Sequence, residues 1–299
     1  MILAATYLGK PLKNLGVSYG YIHSVYDKTL NLILSNRLVV LSSRGSNRGP
    51  FTINVNLPDS LSFKSLNLKE GSAVAYSSGY LYIDGQTLIV DTNRAEPYDP
   101  SIRVYQYSKE TLEQNINSVK DLVLSEGSPE GVRDILKLLD DPSSGNSNAT
   151  ATRALPYVKA LIPAVKQKDE INIQNNLERL IGLGVGTTPA CDDMLCGMML
   201  VMKTFAQSAP VLSSSIELFC SLARYLSFER TTRVSQEYIL YASLGLANEA
   251  SKNAAEALFL QKDGSLRSKF ERLFDIGESS GTDTAVGMVL GAELCKENS

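Results

Sequence analysis

Three short polar blocks carry residues that could do chemistry: "GLGVGTTPACDD" at 182–193, "RTTRVS" at 230–235 and "IGESSGTD" at 276–283. In the first, Gly182, Gly184 and Gly186 alternate after a helical pattern ends, and Thr188-Pro189 has the form of an N-cap followed by proline at the first helical position. A glycine-rich turn that feeds a helix N-terminus can bring backbone N–H groups and the positive end of a helix dipole onto an anion. Gly184, Gly186, Thr187 and Thr188 are the expected anion ligands, with Asp192 beside them and Asp193 as a catalytic carboxylate. A P-loop is excluded because no lysine adjoins the threonines. A dinucleotide fingerprint is excluded because the spacing is G-x-G-x-G after a helix.

The third block repeats the logic. Asp193, Gly197 and Met198 parallel Asp283, Gly287 and Met288, and in each case an i,i+4 step puts the glycine below the aspartate on one helix face. Glycine inside a helix costs about 1 kcal/mol relative to alanine, so paired glycine stripes, extended by Gly291, imply a close backbone neighbour. The expected geometry is two helices crossing at their glycine faces, with both polar loops at the same end. Asp193 and Asp283 would then point into one pocket, lined on the second wall by Ser279, Ser280, Gly281 and Thr282. The alternative is that the glycines serve tight packing alone.

The middle block places Arg230, Thr231, Thr232 and Ser235 where a helix should begin. Guanidinium, hydroxyls and helix N–H groups together suit a phosphate or carboxylate. Arg230 is the expected clamp, competing with a structural ion pair, and Arg233 is expected to be solvated.

The elements that must position these blocks divide the chain by texture into an α+β protein. From Ala4 to about Tyr107 run short β-branched and aromatic segments, "VSYGYIHSVY", "LNLILS", "RLVVLSS", "FTINVNL", "AVAYSSGYLYIDGQTLIV" and "IRVYQY". They predict an N-terminal antiparallel β domain, sheet or barrel-like, over 1–108, with hairpin turns at "SSGY" and "IDGQ". Beyond Ser108 the period becomes helical, which predicts an all-helical C-terminal domain over 109–299. Ser108 and Ser128 stand as N-caps, and "DDPSSGNSNAT" is a low-complexity loop.

Composition narrows the partners. A formal net charge of −3 over 299 residues, with no basic stripe, argues against nucleic acid. No apolar run reaches membrane-spanning length and the opening residues lack a signal-peptide pattern, so no membrane association and a cytoplasmic location are expected. Cys191, Cys196, Cys220 and Cys295 have no C-x-x-C spacing and are expected to be buried free thiols. His23 is the single histidine, expected to be structural, so zinc is not expected. No cofactor is called for, although the oxygens of Asp193 or Asp283 would suit a divalent cation such as Mg2+.

The three blocks, in this order and at these intervals, resemble the signature of the AllH family, long catalogued as a domain of unknown function, which includes a subunit of oxamate carbamoyltransferase. "YIHSVYDKTLNLIL" and "RGP" are similar to its weaker early motifs, so the resemblance covers most of the chain. It implies carbamoyl transfer between oxalurate and phosphate, giving oxamate and carbamoyl phosphate, in anaerobic purine (allantoin) catabolism. It also implies companion subunits, one similar to acyl-CoA ligases. The family pattern has a histidine where this chain has Glu278. Three readings follow: a transferase subunit with an anion pocket, a non-catalytic subunit that binds an acyl-CoA, nucleotide or carboxylate and regulates a partner, and a structural assembly protein.

Overall fold

The computed structural model describes residues 1–43, 45–104, 106–141, 147–208, 212–260 and 265–296. Residues 142–146 of the "DDPSSGNSNAT" loop lie outside them, as does Tyr105 of "IRVYQY". The chain forms two compact units, Met1–Pro100 and Ser101–Ser299.

The first unit is an eight-stranded closed sheet with a ninth strand attached. Its strands are β1 (Ile2–Gly9), β2 (Ser18–Val25), β3 (Thr29–Leu34), β4 (Arg37–Ser42), β5 (Thr52–Val55), β6 (Ala73–Ser77), β7 (Tyr80–Ile83), β8 (Leu88–Asp91) and β9 (Glu96–Tyr98). The order β5-β4-β3-β2-β6-β7-β8-β1 closes on itself through an antiparallel β1–β5 pairing. The first residues of β1 pair with β8 and its last with β9. Alternate residues such as Leu30, Leu32, Val39, Leu41, Ile53, Leu81 and Val90 fill the interior. Both expected hairpins form with consecutive left-handed residues, Ser78-Gly79 and Asp84-Gly85, and Ser35-Asn36 makes a third without glycine.

The sheet is mainly antiparallel as expected, with parallel pairings at β4–β5, β1–β8 and β1–β9; closing a ring after a crossover requires strands that do not return directly. One expectation is corrected. The described residues of "IRVYQY" form no strand: Ile102 and Val104 are buried in the helical unit's core, and the preceding Ser101 forms an isolated bridge with Leu246. A β-branched run can fill a core from an extended segment without a ladder partner.

The second unit contains α1 (Lys109–Glu126), α2 (Ile135–Asp140), α3 (Ala149–Gln167), α4 (Glu170–Leu180), α5 (Ala190–Ser208), α6 (Ser213–Arg230), α7 (Arg233–Ser243), α8 (Glu249–Leu260), α9 (Ser265–Phe274) and α10 (Ser280–Lys296). Ser108 caps α1 by accepting from the Thr111 N–H at 3.3 Å. Ser128 does not open a helix as expected. Gly131 takes φ +69°, outside the right-handed region, and α2 starts only at Ile135. At the centre α5 and α10 lie against each other, apolar on all sides; every residue of α10 from Gly281 to Ala292 is buried. All four cysteines are free and buried.

Candidate functional site

The lead-in to α5 is built by close backbone approach. Gly182 has φ +80°, and a β-carbon there would fall 2.2 Å from the Arg230 carbonyl oxygen; one on Gly184 would fall 2.4 Å from the Ala190 nitrogen. Only glycine fits either place. The first amides of α5 are engaged locally: Cys191 N–H donates to Leu183 O at 3.0 Å, and the Asp192 and Asp193 N–H groups to Pro189 O. At α10 the Gly281 N–H donates to Ile276 O and the Asp283 N–H to Ser279 O. Both termini therefore supply their dipoles more than free donors.

Below these turns the helices touch backbone to backbone. A β-carbon on Gly197 would sit 2.0 Å from Thr284 O, on Gly287 1.8 Å from Met194 O, and on Gly291 2.9 Å from Met198 O. The glycine faces cross as expected, and the polar ends lie together: Thr188 Oγ1 and Ser280 Oγ are 3.0 Å apart.

Three buried carboxyls lie in the first turns of α5 and α10, each in a different state. Asp192 is fully buried and tied in place, accepting from the Gly182 N–H at 2.8 Å and from the Thr231 hydroxyl. Burial raises its pKa, and those hydrogen bonds oppose the rise. Asp193 is 7% exposed and its Oδ2 has no hydrogen-bond partner. Burial pushes its carboxyl well above the ordinary range and the nearby Asp283 pushes the same way, against the facing hydroxyls of Ser280 and Thr188. Asp283 is fully buried; its Oδ1 accepts from the Val132 N–H at 2.7 Å while its Oδ2 is unpartnered. Burial raises it to about 7, opposed by the Val132 N–H and by Ser279. Asp193 thus holds an unsatisfied oxygen facing the Thr188 and Ser280 hydroxyls, and Asp283 one beside the Gly131–Val132 turn and Ser279.

The other expected residues separate. Arg230 is turned away from the carboxyls, donating from Nη1 to Glu178 O at 3.0 Å and pairing with the Glu178 carboxylate at 3.1 Å, which is the structural ion pair that competed with a clamp. Arg233 is not simply solvated; it lies 3.8 Å from the buried Glu237 and 3.1 Å from Gln236. Thr232 caps α7 and its hydroxyl donates to Thr187 O, joining the first and middle blocks. Ser235 turns its hydroxyl toward Asp192 without a well-formed bond. Thr282 accepts from the Ser128 N–H at 3.0 Å. Gly186 has open space at its Cα, and Glu278 is exposed. His23 belongs to β2, with Nδ1 3.1 Å from Ser24 Oγ. Among the described residues no group of three or more His, Cys, Asp or Glu could hold a metal ion.

Two contributors escaped the sequence reading. Gly131-Val132, in the turn after α1, packs onto Asp283; a β-carbon on Gly131 would lie 2.2 Å from Asp283 Oδ1. Tyr238 faces Asp193 from α7, its phenol raised to about 12 by burial and by Asp193. Tyr238 carried a signal, lying three residues after Ser235 and so on the same helix face. Gly131 carried only an awkward glycine inside an expected helix.

The first unit is similar to the AllH family N-terminal domain over residues 3–97, and residues 180–292 match the family of the oxamate carbamoyltransferase subunit AllH. The chain belongs to the AllH family. No solved structure matches it. The AllH match begins at the last residue of α4 and ends within α10, so it spans all three polar blocks and the glycine crossing. The family name makes this a subunit of a carbamoyltransferase, and no helix in the described residues is long and apolar enough to cross a membrane.

Proposed function

We propose that this chain is a cytoplasmic subunit that takes part directly in carbamoyl transfer between oxalurate and phosphate, with oxamate and carbamoyl phosphate as products, in anaerobic purine (allantoin) breakdown. The observation that carries the reading is the pair of buried, unpartnered oxygens on Asp193 and Asp283 in the first turns of α5 and α10, whose ends meet at Thr188 and Ser280. In the transfer, a phosphate oxygen attacks the carbamoyl carbon, the C–O bond forms, and the C–N bond to oxamate breaks. The leaving nitrogen must gain a proton. A carboxyl whose pKa burial pushes up is suited to act as general acid for that step, and burial raises Asp193 well above the ordinary carboxylate range. Asp283, raised to about 7, can accept the proton lost by phosphate. The hydroxyls of Thr188, Ser279 and Ser280 orient the substrate carboxylate or the developing oxyanion at the positive ends of α5 and α10.

The Asp192–Thr231–Gly182 ties hold the glycine loop, and Arg230 braces α6 against α4 through Glu178. A small anionic substrate and companion subunits, one of them acyl-CoA-ligase-like, complete the system, and it needs no resident cofactor.

The test is turnover of carbamoyl phosphate and oxamate by the chain copurified with its companions, compared with Asp193→Asn. Loss of turnover with folding intact supports the reading. Undiminished turnover would place the chemistry on a companion and leave this chain a binding or regulatory subunit.

A further inference from the structure

The outer surface of the closed sheet in the first unit carries an aromatic face that the carboxyl site does not use. Cross-strand pairing sets Tyr19 of β2 opposite Ala75 of β6, and Ala75 opposite Tyr82 of β7. To either side along the strands, Tyr21 stands opposite Ala73 and Ser77 opposite Tyr80. The residues that alternate with them, Ile22, Val74, Tyr76, Leu81 and Ile83, fill the interior, so this set points outward. Tyr19 is 72% exposed, Tyr21 47%, and Val17, just before β2, 63%. Ala73 is exposed too, and Ala75, Ser77, Tyr80 and Tyr82 are partly so. Two tyrosine ridges, on β2 and β7, therefore flank a trough on β6 floored by alanine and serine. The ridges stand two strand spacings apart, about 10 Å, which leaves room for another aromatic ridge between them.

We infer that this face holds a second copy of the chain, in a two-fold dimer in which the β2 ridge of each copy lies in the β6 trough of the other. A two-fold axis brings one surface onto itself, so that surface must contain both the projection and the hollow that receives it. This face has both. The strands β2, β6 and β7 each pair on both sides, so no free strand edge is offered and the contact has to be made by side chains. None of the three contains Asp, Glu, Lys or Arg. Each copy carries a formal charge of −3, and contact between like-charged chains is least opposed where the meeting strands are uncharged. Asp91 of β8, opposite Tyr80 at the rim, is engaged by Asn93. Taking about 200 Å² for a whole tyrosine, the exposed parts of Tyr19, Tyr21 and Val17 with the partly exposed groups around them come to about 500 Å² per copy. Two copies would bury about 1,000 Å², enough for a specific interface of modest affinity.

The experiment is sedimentation equilibrium of the full chain from about 1 to about 200 µM, in low salt and in 1 M NaCl. The expected result is a monomer–dimer equilibrium between 32.5 kDa and twice that mass, with a Kd of about 10 µM that high salt does not weaken, since the face is uncharged. Tyr19→Ser, which removes the most exposed part of the ridge, and Ala75→Lys, which fills the trough with a charge, should each raise that Kd at least tenfold while circular dichroism and Tm stay as in the parent. Tyr225→Ser, which takes a tyrosine of 73% exposure from α6, should leave it unchanged. A chain that stays monomeric at 200 µM overturns the inference, and so does a dimer that survives both face substitutions or falls apart in 1 M NaCl. A monomer whose face is instead covered by a companion subunit, shown by loss of copurification in Tyr19→Ser, overturns it as well.

Discussion

α5 and α10 meet twice, and the two meetings have opposite character. At Gly197, Gly287 and Gly291 the backbones are so close that no side-chain atom fits between them. One turn toward the N-termini, the same helices leave two carboxyl oxygens without partners. The crossing satisfies packing completely, whereas the ends retain polar groups that the fold does not use. Buried unsatisfied oxygens reduce stability by roughly 1–3 kcal/mol each, so their retention beside a saturated crossing points to a role other than holding the helices together.

Substitutions can break this contrast. The largest effect is expected at the crossing: Gly287→Val would drive three carbons into the Met194 carbonyl, and the expected outcome is loss of soluble protein or a fall in stability of about 3 kcal/mol or more by urea denaturation. At the ends the effect should move from folding to chemistry. Asp193→Asn should lower kcat by roughly a hundredfold or more while Tm changes by only a few degrees, because an amide of the same shape replaces a carboxyl whose charged form burial disfavours. A matching collapse of Tm would show that Asp193 belongs to the packing after all.

The pH dependence sharpens the same contrast. Asp283 has a folded-state pKa near 7 against an ordinary 3.8, so its contribution to stability is complete below about pH 4 and declines as pH rises toward 7. The slope in that window is at most about 1.4 kcal/mol per pH unit, and Asp283→Asn should remove it, as chemical denaturation at pH 5 and pH 7.5 would register. Smaller still, Thr231→Val should cost about 1–2 kcal/mol by leaving Asp192 Oδ2 without its donor. Arg230→Ala, which removes a partly exposed pair with Glu178, should cost about 1 kcal/mol or less and leave oxamate affinity within a factor of about three. A tenfold weakening would mean that the guanidinium leaves Glu178 for the ligand.

How far the sequence could be read follows the reach of each signal. The i,i+4 steps from Asp193 to Gly197 and from Asp283 to Gly287 foretold the crossing, because helical periodicity puts both residues of each pair on one face whatever surrounds them. The hairpins at Ser78-Gly79 and Asp84-Gly85 were equally local. Strand β1 was not, since the opening "MILAATYLG" owes its ladder to β5, β8 and β9, all of them at least 40 residues away. "IRVYQY" misled for the converse reason, offering strand composition where the described residues supply no partner strand.

What the sequence determined by itself was the α+β division, the two glycine stripes and the polar blocks that open α5, α7 and α10, because each depends on residues a few positions apart. Only the tertiary structure decided which of the acids is tied and which is left unpartnered, that Arg230 turns to Glu178, and that a turn 151 positions earlier in the chain docks its Val132 N–H on Asp283. Hydrogen-bond satisfaction and desolvation depend on every atom that comes within a few ångströms, and chain neighbours do not reveal which atoms those will be.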